Sequence, residues 1–166
     1  LGSSGQLGVG TYTSQSSPMK VVSTGSLSGK TITAVAAGGN RTYALSSTGQ
    51  VFAWGENTGG LLGDGTTNNT NVPVAVVTSG SLSGKTVTHI AVGCNHTVVR
   101  TSDGLLFAWG LNDRGQLGTG STTSSSVPVA VKMTGALAGK TVFKVFCGPA
   151  SSATLALASD GKLYAW

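Results

Sequence analysis

Three Gly-Lys-Thr triplets, Gly29-Lys30-Thr31, Gly84-Lys85-Thr86 and Gly139-Lys140-Thr141, are the first residues of this sequence whose types suggest chemistry. In a phosphate-binding loop, backbone N–H groups wrap the phosphate and a lysine following glycine neutralises it. That loop needs its two glycines one residue further apart, and a helix after them. Gly25 to Gly29, Gly80 to Gly84 and Gly135 to Gly139 each enclose three residues, and a strand-like run follows each pair. The triplets therefore read as structural turns. The pairs Gly8/Gly10, Gly63/Gly65 and Gly118/Gly120 lack the third glycine and the helix of a dinucleotide fingerprint, and also read as turns at positive φ.

The remaining candidates are sparse. His89 and His96 have no repeat counterparts and no acids clustered near them, so a hydrogen-bonding role is expected in preference to a metal site or a nucleophile–base pair. The acids Glu56, Asp64, Asp103, Asp113 and Asp160 fall mostly in turns, and none pair up as glycosidase carboxylates would. No catalytic residue, metal ligand or cofactor is expected. Cys94 and Cys147 fall at nearly the same position of neighbouring repeats, which leaves both a bridge between them and two free thiols open. Asn40, Asn68 and Asn95 each begin an Asn-x-Thr triplet, candidate N-glycosylation acceptors on a secreted chain. Trp54, Trp109 and Trp166 end apolar runs at a constant repeat position, which suits packing between repeats better than a stacking platform for sugars or bases.

The elements that hold these residues are read from composition and periodicity. Charged residues make up 9% of the 166, while 26 are glycine, and Ser and Thr fill the gaps between short runs of Val, Ala, Leu and Ile. Long amphipathic helices need a different mixture, so many short strands joined by tight turns are expected. The apolar content of 39%, clustered regularly, argues against disorder. The net charge of +5 is scattered, without the basic cluster and interleaved aromatics of a nucleic-acid surface. No apolar run is long enough to span a bilayer.

Self-similarity is the strongest signal. GENTGGLLGDGTT from Gly55 matches GLNDRGQLGTGST from Gly110, and LGSSGQLGVGT from Leu1 matches both. The Gly-Lys pairs recur at intervals of 55 residues, from 29 to 84 and from 84 to 139. The closing Trp recurs after 55 residues (109 − 54) and then 57 (166 − 109), the last interval carrying an insertion between Pro149 and Ser152. The repeats are thus 1–54, 55–109 and 110–166, with no second domain. Each contains four extended segments: a Pro-led run (Val74 to Val77, Val129 to Val131), the run after Gly-Lys-Thr, and a hairpin such as Thr97–Thr101 with Leu105–Trp109. Ser102-Asp103-Gly104 joins that hairpin, and an Asp-Gly turn is expected to put both residues at positive φ. Four strands per repeat of this length is the signature of a β-propeller blade.

The stretches Trp54 to Gly63 and Trp109 to Gly118, with Asn95-His96-Thr97 and Ser102-Asp103-Gly104 leading to Phe107-Ala108-Trp109-Gly110, resemble the RCC1 (regulator of chromosome condensation) repeat family over essentially the whole chain. The resemblance implies an all-β fold of RCC1-like four-stranded blades, three of them here, as a fragment of a larger, seven-bladed ring. The family's histidine before the third strand is kept at His96, replaced by Arg41 in the first repeat, and lost in the third around Pro149. Propellers bind through loops at the ends of the ring. The low charge and the three acceptor triplets favour a non-catalytic scaffold, extracellular or on the cell surface, that binds protein partners or assembly neighbours. The resemblance also implies an alternative, a cytoplasmic or nuclear propeller promoting nucleotide exchange on a small GTPase. A third reading is a lectin-like surface that binds glycans through exposed loop aromatics such as Tyr12.

Overall fold

The structure, a computed structural model, describes all of residues 1–166. Eleven strands form three antiparallel sheets in which sequential neighbours pair. The first sheet contains β1 (Ile32–Gly38), β2 (Arg41–Ser46), β3 (Val51–Gly55) and β4 (Thr70–Ala75). The second contains β5 (Val87–Val92), β6 (His96–Thr101), β7 (Leu106–Gly110) and β8 (Ser125–Ala130). The third contains β9 (Val142–Cys147), β10 (Thr154–Ala158) and β11 (Leu163–Ala165). These are the blades that the repeat signal implied. No helix is long and apolar enough to cross a membrane.

The central strands of the first two sheets carry apolar side chains on both faces because those strands are covered on both sides, so their sequences read as continuous runs. Val51–Gly55 and Leu106–Gly110 are buried throughout. The core accordingly lies between sheets. Tyr43, Leu45, Val51 and Ala53 of the first sheet pack against Val92, Val99, Phe107 and Trp109 of the second. The opposite face of the second sheet, with Val98, Leu106 and Ala108, meets Val142, Val145 and Ala156 of the third.

Three sequence expectations change in detail. The Pro-led runs begin earlier, as β4 and β8, with Pro73 and Pro128 inside outer strands, where a missing N–H has no ladder partner to lose. Each of these strands pairs back onto the sheet before it, β4 on β3 and β8 on β7, so a blade takes three strands from one sequence repeat and its fourth from the next. In the turn from Thr101 to Gly104, only Gly104 takes a positive φ, of 80°, and Asp103 does not. Gly104 N–H donates to Thr101 C=O at 2.9 Å, so the glycine absorbs the left-handed step after an ordinary β-turn.

Candidate functional site

The seams between blades are built by the long β3–β4 and β7–β8 loops. On the second blade, Trp109 donates its indole N–H to the Leu61 carbonyl of the loop from the first blade, at 3.0 Å. Trp54 donates likewise to Gln6 at 2.9 Å, and Trp166 to Gln116 at 3.1 Å. At the two outer seams a threonine one strand away shares the carbonyl: Thr42 Oγ1 donates to Gln6 at 2.9 Å and Thr154 Oγ1 to Gln116 at 3.2 Å. At the middle seam, Thr97 donates to the Tyr43 hydroxyl at 2.9 Å, and that hydroxyl donates to Leu61 C=O. Burial holds the Tyr43 phenol above its usual titration range.

The loop must come close for this clamp to form. A Cβ built on Gly63 would lie 2.7 Å from Trp109 Nε1, and Gly63 has φ 71°, so both space and backbone demand glycine. The loop is braced from within by a buried asparagine. Asn57 Oδ1 accepts from Leu62 N–H at 2.8 Å, while its Nδ2 donates to Asp64 and to Thr66. Asn112 repeats this with Leu117 N–H at 2.9 Å and the Ser121 and Thr123 carbonyls. On the outside, Asp113 and Arg114 have side chains 69% and 77% exposed, so the braced loop presents charge outward.

At the inner ends of the strands, the position that holds His96 in the second blade holds Arg41 in the first. Arg41 is fully buried, and its Nη2 donates to the Gly93 and Cys94 carbonyls of the next blade at 2.8 and 2.7 Å. His96 Nε2 lies 2.8 Å from Thr154 Oγ1 of the third blade and 3.5 Å from Cys147 Sγ. Burial, helped by the nearby Arg41 charge, lowers the His96 pKa to about 4, so the ring is neutral at pH 7. The insertion between Pro149 and Ser152 completes this seam, because Ser151 C=O accepts from Cys94 N–H at 2.9 Å.

Cys94 and Cys147 are both free thiols. Of the two arrangements the sequence left open, the structure has the unpaired one. Cys147 turns instead toward His96 and Thr154, and burial raises its pKa to about 11. His89 is exposed on β5, with its Nδ1 3.3 Å from Thr88 Oγ1. No group of three His, Cys, Asp or Glu side chains gathers at one point.

The Gly-Lys-Thr triplets lie at the other end of the blades. Lys85 pairs with Asp103 at 2.6 Å, and Lys140 with Asp160 at 3.0 Å, tying the second and third triplets to the hairpins of their own blades. Hydrogen bonding from Lys85 lowers the Asp103 pKa to about 2. Asn40 donates to Glu56 at 3.3 Å, Asn68 is exposed on its loop, and Asn95 is half-buried in the β5–β6 turn. Tyr12 is 47% exposed, with its hydroxyl directed to Asn69 C=O at 3.4 Å.

Sequence reasoning assigned no contact to Arg41, Asn57, Asn112 or the threonines. Their recurrence was available, since Thr42, Thr97 and Thr154 follow the spacing of the tryptophans and Asn57 and Asn112 stand 55 residues apart. What could not be read was that a main-chain carbonyl is the common acceptor.

Comparison with known proteins agrees with this architecture. Residues 7–166 match the family model described as the Alsin RCC1-like domain. The human E3 ubiquitin-protein ligase HERC2 is 36% identical over 129 residues, which is 77% of this chain and 3% of that protein. The ultraviolet-B receptor UVR8 of Arabidopsis thaliana is 34% identical over 166 residues, 99% of this chain and 35% of that protein. Among solved structures, human WBSCR16 superimposes with a TM-score of 0.82 at 30% identity, covering 99% of this chain and 41% of that one. Prp20p of Saccharomyces cerevisiae, whose structure was described together with its binding to Gsp1p and histones, gives 0.67 at 26% identity, covering 81% and 32%. The chain thus spans well under half the length of each of these relatives, and by sequence and blade geometry together it belongs to the RCC1-like repeat family.

Proposed function

We propose that this chain is the non-catalytic, protein-binding part of a regulatory propeller whose partner is a small GTPase. The observation that carries this reading is the braced loop after β7. Asn112 fixes its interior by hydrogen bonds at 2.9 to 3.0 Å, while Asp113 and Arg114 project from it. A surface already ordered before binding loses little conformational entropy on contact. Exchange on a GTPase needs loops that displace phosphate and Mg²⁺ contacts and requires no catalytic triad, which suits a rim without clustered titratable groups.

Prp20p, described with its binding to Gsp1p and histones, supports a macromolecular partner of this kind. The ligase activity in the name of HERC2 is not carried over, since the shared segment is 3% of that protein. A cytoplasmic or nuclear setting is the reading adopted, supported by the histone binding named in the description of Prp20p. The test is release of fluorescent GDP from a purified small GTPase in the presence of this chain. Acceleration that is lost on reversing the rim charges, Asp113→Lys with Arg114→Glu, is expected. Unchanged release, with no binding in a pull-down, would contradict the reading.

A further inference from the structure

The Gly-Lys-Thr triplets and the hairpin turns beside them form one rim of the blade row, at the end away from the loops that clamp the seams. In each blade the turn amide donates to the threonine carbonyl of the triplet. Ser47 N–H donates to Thr31, Ser102 N–H to Thr86 and Ser159 N–H to Thr141, all at 2.8 Å. The rim is continuous across the seams, because Val87 N–H of the second blade donates to Gly49 C=O of the first at 3.3 Å. A Cβ built on Gly104 would likewise lie 2.7 Å from Thr141 Cγ2 of the third blade. Lysines and turns therefore alternate from blade to blade on a shared main-chain frame.

That frame makes one substitution visible. The residue before the turn glycine is Asp103 in the second blade and Asp160 in the third, but Thr48 in the first. Asp103 and Asp160 each neutralise the lysine of their own triplet, and the Tyr164 ring adds a second contact, 6.0 Å from Lys140 Nζ. Thr48 has no charge to offer, and its hydroxyl lies 3.0 Å from Ser46 Oγ. Lys30 is exposed, and the ion pairs of the chain involve Lys85, Arg114 and Lys140 only. The acid of a neighbouring blade does not serve in its place: the turn of Asp103 lies against the third triplet, yet Asp103 pairs with Lys85 and not with Lys140. The two ends of the row also differ in sign. This rim holds Lys30, Lys85, Lys140 and Lys162 against Asp103 and Asp160, whereas the opposite loops hold Glu56, Asp64 and Asp113 against the exposed Arg114.

We infer that the Gly-Lys-Thr rim is a second docking surface, whose occupant is an extended acidic segment of a protein partner that places a carboxylate on Lys30. Charge complementarity selects this occupant, since Lys30 is the rim lysine of a triplet that no acid of the chain neutralises. The exposed Ser47 and Thr48 beside it supply neutral hydrogen-bonding groups where the other blades present an aspartate. A nucleic-acid backbone suits the rim less well. Duplex charge recurs about every 1.7 Å, so Asp103 and Asp160 would meet phosphates along the row. Carboxylates on one face of an extended peptide recur at about 7 Å, which leaves room for uncharged side chains opposite those aspartates. The surface lies at the end away from Asp113 and Arg114, so it goes beyond the GTPase reading and stands or falls apart from it.

Fluorescence anisotropy of a labelled peptide of alternating Glu and Ser, titrated with the 166-residue chain, tests this. Binding that weakens as salt is raised is expected. Lys30→Glu should weaken it roughly 10-fold, because an attraction becomes a repulsion at an exposed site. Thr48→Asp should weaken it comparably, by giving the first blade the acid that the other two carry, and should leave the thermal midpoint undiminished. Arg114→Glu makes the same change of charge at the opposite end and should weaken binding less than about 2-fold. No binding of the peptide, unchanged binding by Lys30→Glu, or an equal loss in Arg114→Glu would each overturn the inference. So would a labelled DNA duplex that binds more tightly than the peptide and loses affinity in Lys30→Glu.

Discussion

The indole N–H of Trp109 donates to the main-chain carbonyl of Leu61 at 3.0 Å, across the boundary between two sheets that share no strand. Because the first two blades meet through this bond and the apolar seam around it, the cost of disturbing it falls on the whole array. Trp109→Phe keeps most of the buried ring and loses the donor, and should destabilise by about 1–2 kcal/mol. Trp109→Ala also opens a cavity and should cost about 3–5 kcal/mol. Urea unfolding monitored by circular dichroism measures both, and equal losses for the two variants would show that the hydrogen bond, not the packing, dominates.

Asn112 is buried and satisfies Leu117 N–H together with the Ser121 and Thr123 carbonyls. Asn112→Ala should strand those groups at a cost of about 2 kcal/mol. Amide exchange should quicken at Leu117 with the β5–β6 ladder unaffected. Unchanged protection at Leu117 would remove the asparagine from its role as the loop's brace.

His96 titrates near pH 4 in the folded chain, below its ordinary value of 6.5. Its folded pKa is depressed, so the unfolded chain binds the extra proton between the two values. The neutral ring's contribution is therefore fully present above pH 6.5 and is lost as pH falls toward 4, amounting to about 3 kcal/mol across that window. His96→Gln should flatten the dependence of unfolding free energy on pH in this interval. An unaltered slope would assign the acid sensitivity elsewhere.

Arg41 adds to that depression by charge repulsion while donating to Gly93 and Cys94. Arg41→Met should leave those carbonyls short of donors, costing about 2–3 kcal/mol. It should also raise the His96 pKa, which the imidazole signals of an NMR titration report directly. A His96 pKa that stays in place would show that burial alone sets it.

The fold was legible in this sequence because a 55-residue period repeats the same apolar runs and the same turn glycines. The blade boundary was not, since nothing local in Thr70–Ala75 says whether the strand joins the sheet before it or the one after. The tryptophans could be assigned to packing from their position, but their acceptors are main-chain carbonyls, which carry no residue identity. Arg41 read only as a departure from the family's histidine, because its two acceptors lie more than fifty residues away in the next blade. The Asp-Gly turn was misjudged because glycine alone can absorb the left-handed step there.

Cys147 is half-buried with its pKa raised to about 11, and its sulfur faces His96 and Thr154. In the native chain it should alkylate far more slowly than a free thiol, and in urea two thiols should react, which mass spectrometry of iodoacetamide-treated protein counts. Fewer than two in urea without reductant would mean that the cysteines bridge.

The three indole N–H groups are the most direct probes of the central claim that blades are clamped together by loop carbonyls. Hydrogen exchange at the Nε1 positions of Trp54, Trp109 and Trp166, followed by NMR, should show strong protection of all three, with Trp109 slowest because it is fully buried at the middle seam. Exchange of Trp109 at the rate of a free indole would contradict the clamp and, with it, the account of how these sheets cohere.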